Sequence, residues 1–205
     1  MKPDTISSWT ALAVACLVAA GCSDSSQAPQ TDTPPLATSC TGVPVFTVSP
    51  VDPRAVESIA PLGNLNPPGH TFPTDHVYFY LKPGGGGGVT VETGLYAPGD
   101  MTLTSASAFE HVNAGLLDFS ITLECGDVAL VLGHVTTLAE NVFGGTADLS
   151  SWQLLNEYTT GGETYRMYRK PFDRAMQAGD SLGTTGGNPG QWALDVGAYD
   201  RSRVS

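Results

Sequence analysis

The sequence predicts a mostly β domain, and three observations predict it. Its apolar runs are short, and each is soon followed by Gly, Pro, Asn or Asp, the punctuation of strands and turns. Phe119, Ile121 and Leu123 alternate with Ser120 and Thr122, the period-two pattern of a strand with one buried face. A helical pattern is confined to two brief stretches, residues 136–141 and 173–177. The expected architecture is an antiparallel β sandwich or open barrel with few short helices.

Taken in order, residues 44–48 (PVFTV), 76–81 (HVYFYL), 117–123 (LDFSITL) and 128–135 (VALVLGHV) read as strands. Pro44 suits a first strand position, where its missing N–H breaks no ladder bond. Residues 165–168 and 192–196 are further strand candidates. Five consecutive glycines, residues 84–88, stand between strand readings. They lack the Lys and Ser/Thr of a phosphate loop, so they read as a hairpin connection rather than a nucleotide site.

The first 21 residues read as an export leader. Lys2 opens it, residues 9–20 (WTALAVACLVAA) form an apolar run, and small residues lead into Gly21-Cys22. The run is too short to span a bilayer as a helix. The junction Ala19-Ala20-Gly21-Cys22 resembles the bacterial lipobox, whose cysteine is acylated and becomes the new N-terminus; the lipobox more often has Leu where this chain has Ala19. Cleavage nearby, with Cys22 left as a thiol, is the alternative. Ser23 follows the cysteine, and a residue other than Asp there implies passage to the outer membrane. Residues 23–39 (SDSSQAPQTDTPPLATS) are polar and rich in Ser, Thr and Pro, too poor in apolar surface to offset their ordering entropy, so they read as a tether.

Residues 40–205 are enough for one domain with a real core. Acidic residues outnumber basic ones, 20 to 9, for a formal net charge of −11. That balance argues against nucleic acid as a partner and against electrostatic docking on anionic lipid. Of the four cysteines, Cys16 leaves with the leader and Cys22 takes the lipid, which leaves Cys40 and Cys125. In an oxidising envelope these two read as one disulfide, its loop closure contributing about 4 kcal/mol. Two reduced, buried thiols are the alternative.

Three stretches carry more than composition: residues 61–80 (PLGNLNPPGHTFPTDHVYFY), 118–138 (DFSITLECGDVALVLGHVTTL) and 178–200 (AGDSLGTTGGNPGQWALDVGAYD). In order and phrase they resemble the M23 peptidase family, the lysostaphin-like zinc endopeptidases that cut cell-wall peptides. Residues 95–100 (LYAPGD), Leu132-Gly133-His134-Val135 and residues 178–187 match further phrases of that family. The resemblance covers nearly all of the domain and implies a lysostaphin-like β fold, a zinc ion and a peptidoglycan substrate.

The departures are equally plain. The family's first metal histidine is followed four residues later by an aspartate, but His76 is followed there by Tyr80. Counting from His70 reaches Thr74, with Asp75 one residue further. The family's His-x-His strand reads Ala193-Leu194-Asp195. The resemblance therefore implies a ligand set drawn from His70, Asp75, His76 and Asp195, with His134 where the family keeps a histidine that assists the reaction. Zinc catalysis needs three such ligands and an open place for water. Each residue also has an ordinary reading. His70 could bond backbone in a turn, Asp75 is a common turn-forming acid, and His76 and His134 could be half-buried strand histidines. Asp195, between Leu194 and Val196, needs a partner if its face is interior. His111 reads as a surface loop residue. Tyr78, Tyr80, Trp152 and Trp192 could line a sugar or peptide groove or belong to the core.

No Gly-x-Ser-x-Gly elbow supports an α/β-hydrolase, and paired Cys40 and Cys125 would leave no cysteine nucleophile. Three functions stay open: a zinc-dependent peptidase of the envelope, a non-catalytic wall-binding domain, or a structural lipoprotein that keeps only the fold. The residues after Asp200 follow the last family-like strand closely, so a further C-terminal segment carrying a ligand also stays open.

Overall fold

Alternation along the central strands decides how the sheet is built and where its two faces go. The computed structural model describes residues 45–65, 73–84, 89–90, 92–144 and 148–203, all within one compact unit, Thr33–Ser205. The strands are β1 (Val56–Ala60), β2 (Val77–Leu81), β3 (Pro83–Gly84), β4 (Val89–Thr90), β5 (Thr93–Tyr96) and β6 (Met101–His111). They continue with β7 (Leu116–Cys125), β8 (Val128–Leu138), β9 (Gln153–Thr160), β10 (Glu163–Met176), β11 (Ser181–Thr185) and β12 (Ala193–Asp200). One short helix, α1 (Glu140–Phe143), follows β8.

The mostly β expectation is borne out. Ten strands form a single antiparallel sheet in the order β1-β2-β12-β8-β7-β6-β10-β9, with β11 joining β5 to β8, and the sheet does not close. On one face of its centre, Phe119, Ile121 and Leu123 of β7 lie beside Leu130, Leu132 and Val135 of β8 and Leu194 of β12, all buried. Leu95, Leu182, Met176 and Trp152 complete this core. Burying each large apolar side chain contributes roughly 1.5–3 kcal/mol, so this face fixes the register. A one-residue slip of β7 would carry all three of its core residues to the opposite face. That opposite face holds Ser107, Asp118, Ser120, Gly133 and Asp195, small or polar residues in successive strands.

Several elements differ from the sequence expectation. Residues 45–49 form no strand: the amides of Thr47 and Val48 both donate to the Pro98 carbonyl, at 2.7 and 3.0 Å, which precludes a ladder. Gly99 permits this approach, since a Cβ there would lie 1.9 Å from the Val45 carbonyl oxygen. The expected helix at 136–141 is strand as far as Leu138, because Thr137 pairs with Thr184 of β11, and α1 starts only at Glu140. The expected helix at 173–177 is the end of β10, held by the pairing of Arg174, Ala175 and Met176 with Leu103, Thr102 and Met101 of β6. The register shifts just after Pro171, where a residue without an N–H is tolerated. Around the glycine run, Pro83 pairs with Thr90 and Gly84 with Val89, as a hairpin connection requires. Cys125, at the end of β7, is buried and disulfide-bonded, and the other three cysteines lie outside the described residues.

Candidate functional site

Three neighbouring strands bring the site together. Tyr78 of β2, Asp195 of β12 and Gly133 of β8 form one row across the sheet. His76 stands two residues before Tyr78 and so shares its face. His134 would point away from that face in a regular strand. Between β7 and β8, however, Phe119 pairs with Val135 and Ile121 with Leu132. Two residues, Gly133 and His134, therefore oppose the single Ser120, which is a β-bulge. His134 has φ +59°, the only non-glycine among the described residues with a positive φ. Such a backbone costs about 1–3 kcal/mol and persists where its surroundings hold it. Thr185, fully buried, donates to the His134 carbonyl at 2.7 Å. Gly133 leaves room for Asp195, whose Cβ would lie 3.2 Å from a Cβ placed there.

The bulge completes a row of acids and histidines. His76 Nδ1 lies 2.8 Å from Asp75 Oδ1, and His134 Nδ1 lies 2.9 Å from Asp118 Oδ2. Both Nε2 atoms then meet the same oxygen: each is 3.4 Å from Asp195 Oδ2. Asp118 Oδ2 also accepts from Gln191 Nε2 at 2.7 Å, and Gln191 Oε1 accepts from Asn188 Nδ2 at 2.8 Å. Asn188 Nδ2 is anchored in turn on the Leu117 carbonyl. The Tyr199 hydroxyl donates to Asp75 Oδ2 at 3.4 Å. A neutral ring that donates Nδ1–H to its carboxylate presents Nε2 as an acceptor. With both rings in that tautomer, two acceptors and a carboxylate oxygen would converge here, an arrangement that would accept positive charge between them.

His134 itself favours the protonated form. Its hydrogen bond to Asp118 raises its pKa above the ordinary histidine value; the charges of Asp118 and Asp195 add to this, and desolvation opposes it. A raised folded-state pKa contributes stability that is full below the unfolded value and is lost as pH rises through the folded one. Asp118→Asn is therefore expected to lower the His134 pKa and to remove this pH dependence of stability on the alkaline side of about 6.5. An NMR titration of the metal-free protein with parallel denaturation would check it; an unchanged His134 titration would refute the role given to Asp118.

Beside this row opens a cleft of about 220 Å³, lined by Tyr78, Tyr80, His134, Gly190, Gln191, Trp192 and Ala193. Tyr78 and Tyr80 are stacked at 5.9 Å between centroids, and His76 packs edge-on against Tyr78 at 4.8 Å. Trp192 is exposed while Trp152 is buried against Phe119, so of these two tryptophans only Trp192 belongs to the cleft.

Of the expected site residues, Asp75, His76, His134 and Asp195 are gathered together, and Asp75 stands behind His76 on its Nδ1 side. His70, Cys22 and Cys40 lie outside the described residues. Among the described residues no group of three or more His, Cys, Asp or Glu forms a metal-holding cluster as the side chains stand. Sequence reasoning missed Asp118 and Gln191. Asp118 lies inside the strand read at 117–123 with no local pattern to mark it, and Gln191 carries no pattern either. His111 is not an isolated loop residue: it ends β6 and packs edge-on against Phe109 and Tyr165, at 5.1 and 5.0 Å. Among the described residues no helix is long and apolar enough to cross a membrane. No family model, curated protein or solved structure matches the chain.

Proposed function

We propose that this chain is a lipid-anchored protein of the bacterial envelope whose β domain is a divergent lysostaphin-like metallopeptidase acting on peptides. In this reading Cys22 carries the lipid and Cys40 is the disulfide partner of Cys125. The observation that carries the proposal is the meeting of two histidine Nε2 atoms on one Asp195 oxygen, each at 3.4 Å. The edge of a tetrahedron with bonds of about 2.0–2.1 Å, the zinc range, is roughly 3.3–3.4 Å. Each histidine also has its other nitrogen against a carboxylate, Asp75 or Asp118, which is how zinc-binding histidines are usually oriented.

His76, His134 and Asp195 would hold the ion. His134 then becomes a ligand, compensating for Tyr80 where the family carries an aspartate. Zinc in such a place supplies a Lewis acid and lowers the pKa of a bound water. The protein's own part is to hold both imidazoles in one tautomer through Asp75 and Asp118, to fix Asp118 through Gln191, and to lay a peptide along Tyr80 and Trp192. The test is zinc stoichiometry and cleavage of wall peptides and of model peptides by the detergent-solubilised full chain. About one zinc per chain and cleavage abolished by chelation are expected. No zinc retained after zinc is offered and excess removed would sink the reading. One observation favours binding without cleavage: Ala193 replaces the family's second assisting histidine. That alternative predicts peptide retention that survives chelation.

A further inference from the structure

A second cavity, of about 230 Å³, lies on the same face of the sheet, and Asp118 lines it. Asp118 is thus shared: one oxygen holds His134 at the site, while the residue itself borders the second cavity. The strands lining the first cleft are β2, β12 and β8, those lining the second are β7, β6, β10 and β9, and these are consecutive in the sheet. Register keeps the face constant, since Asp118 pairs with Phe109, Ser120 with Ser107, and Phe109 with Met167.

The chemistry of the second cavity differs from that of the first. Ser107 and Ser120, paired and small, lie between the larger Phe109, Leu155 and Met167, while Tyr168, next to Met167 in β10, packs against the core. Leu155 and Met167 are 51% and 41% exposed, large apolar groups left in water beside the cavity. Among the described residues no Lys or Arg lines it and Asp118 is its one charged residue, so no cation there would balance an acidic group. Cavities of roughly 150 Å³ with apolar walls accommodate a benzene ring, so the space suffices for a leucine or phenylalanine side chain.

We propose that this cavity is a specificity subsite of the same site: it takes one large apolar side chain of a polypeptide whose backbone passes the His134–Asp118 pair. The inference rests on the peptide reading above and narrows it to substrates bearing such a residue. Its probe is a set of fluorophore-labelled peptides, acetyl-Gly-Gly-X-Gly-Gly-amide with X = Ala, Leu, Phe or Asp. The glycine flanks let X find the cavity in any register. Anisotropy with the full chain is expected to show Leu and Phe binding about tenfold or more tighter than Ala, the usual reward for filling an apolar pocket, with Asp weakest. Ser107→Leu fills the cavity and should reduce the Leu-to-Ala ratio to about one. Leu155→Asp, on the exposed edge strand β9, should reduce the same ratio without challenging the core. Zinc binding with equal affinity for all four peptides would overturn the subsite and leave the peptidase reading intact. A Leu preference in a chain that takes no zinc would uphold the subsite and overturn the peptidase. Neither zinc nor peptide binding would overturn both.

Discussion

Asp195→Ala is expected to abolish stoichiometric zinc binding and, with it, any peptide cleavage. The reason is the sharing at Oδ2, where His76 and His134 converge from the strands on either side of β12. Losing an outer partner such as Asp118 leaves the donor atoms in place and typically weakens metal binding 10–100-fold. Losing Asp195 removes the only anionic donor of the three and leaves two neutral imidazoles, so the loss should exceed a hundredfold. Asp195→Asn separates charge from shape: it keeps the side-chain volume beside Gly133 and should lose zinc almost as completely. The metal-free fold should not suffer, because the substitution removes one of three carboxylates crowded into the row. Asp195→His, which restores the family's residue, should retain zinc. Elemental analysis and thermal denaturation of the three variants would decide the matter. Full zinc content in Asp195→Asn would show that the converging nitrogens are ordinary partners of a structural carboxylate.

The strain at His134 argues in the same direction. A glycine there would accept φ +59° at no steric cost, yet the position holds a side chain that reaches both Asp118 and Asp195. The surroundings retain the conformation through Thr185 below the carbonyl and through the Asn188–Gln191–Asp118 chain beside the ring. A bulged strand bound this way aims a side chain rather than ending a ladder.

How far the sequence could be read follows from where the information lies. The alternation of Phe119, Ile121 and Leu123 exposes a half-buried strand directly, and β7 is where that pattern places it. The phrase Leu132-Gly133-His134-Val135 and the carboxylate at Asp195 were legible as chemistry because their residue types are unusual between apolar neighbours. The bulge was not, because it is a property of the β7–β8 register rather than of any local pattern. Without it, His134 points away from Asp195. Strand β6 was missed because its Ser, Thr and Ala residues form no apolar run, although alternate ones are buried as thoroughly as leucines. The two mistaken helices share one cause: short helical patterns next to a ladder yield to the partner strand, which satisfies every backbone group at once.

Cys22→Ala is expected to move the protein from the membrane fraction to the soluble fraction. Its net charge is strongly negative, so anionic headgroups repel it, and among the described residues no helix is long and apolar enough to span. In the proposed lipoprotein, attachment rests on acyl chains, each buried methylene contributing about 0.8 kcal/mol, and while one chain exchanges, two or more hold. The shift should therefore be nearly complete rather than partial. Fractionation with mass spectrometry of the N-terminal peptide would test it, since a lipid-modified Cys22 and a leader removed after Gly21 are expected together in the wild type. A Cys22→Ala protein that still pellets with membranes and extracts only with detergent would place the anchor elsewhere. In the proposed lipoprotein, residues 23–39 stand between lipid and domain, and a polar segment of that length would let a site that reads peptides reach polymer lying away from the membrane.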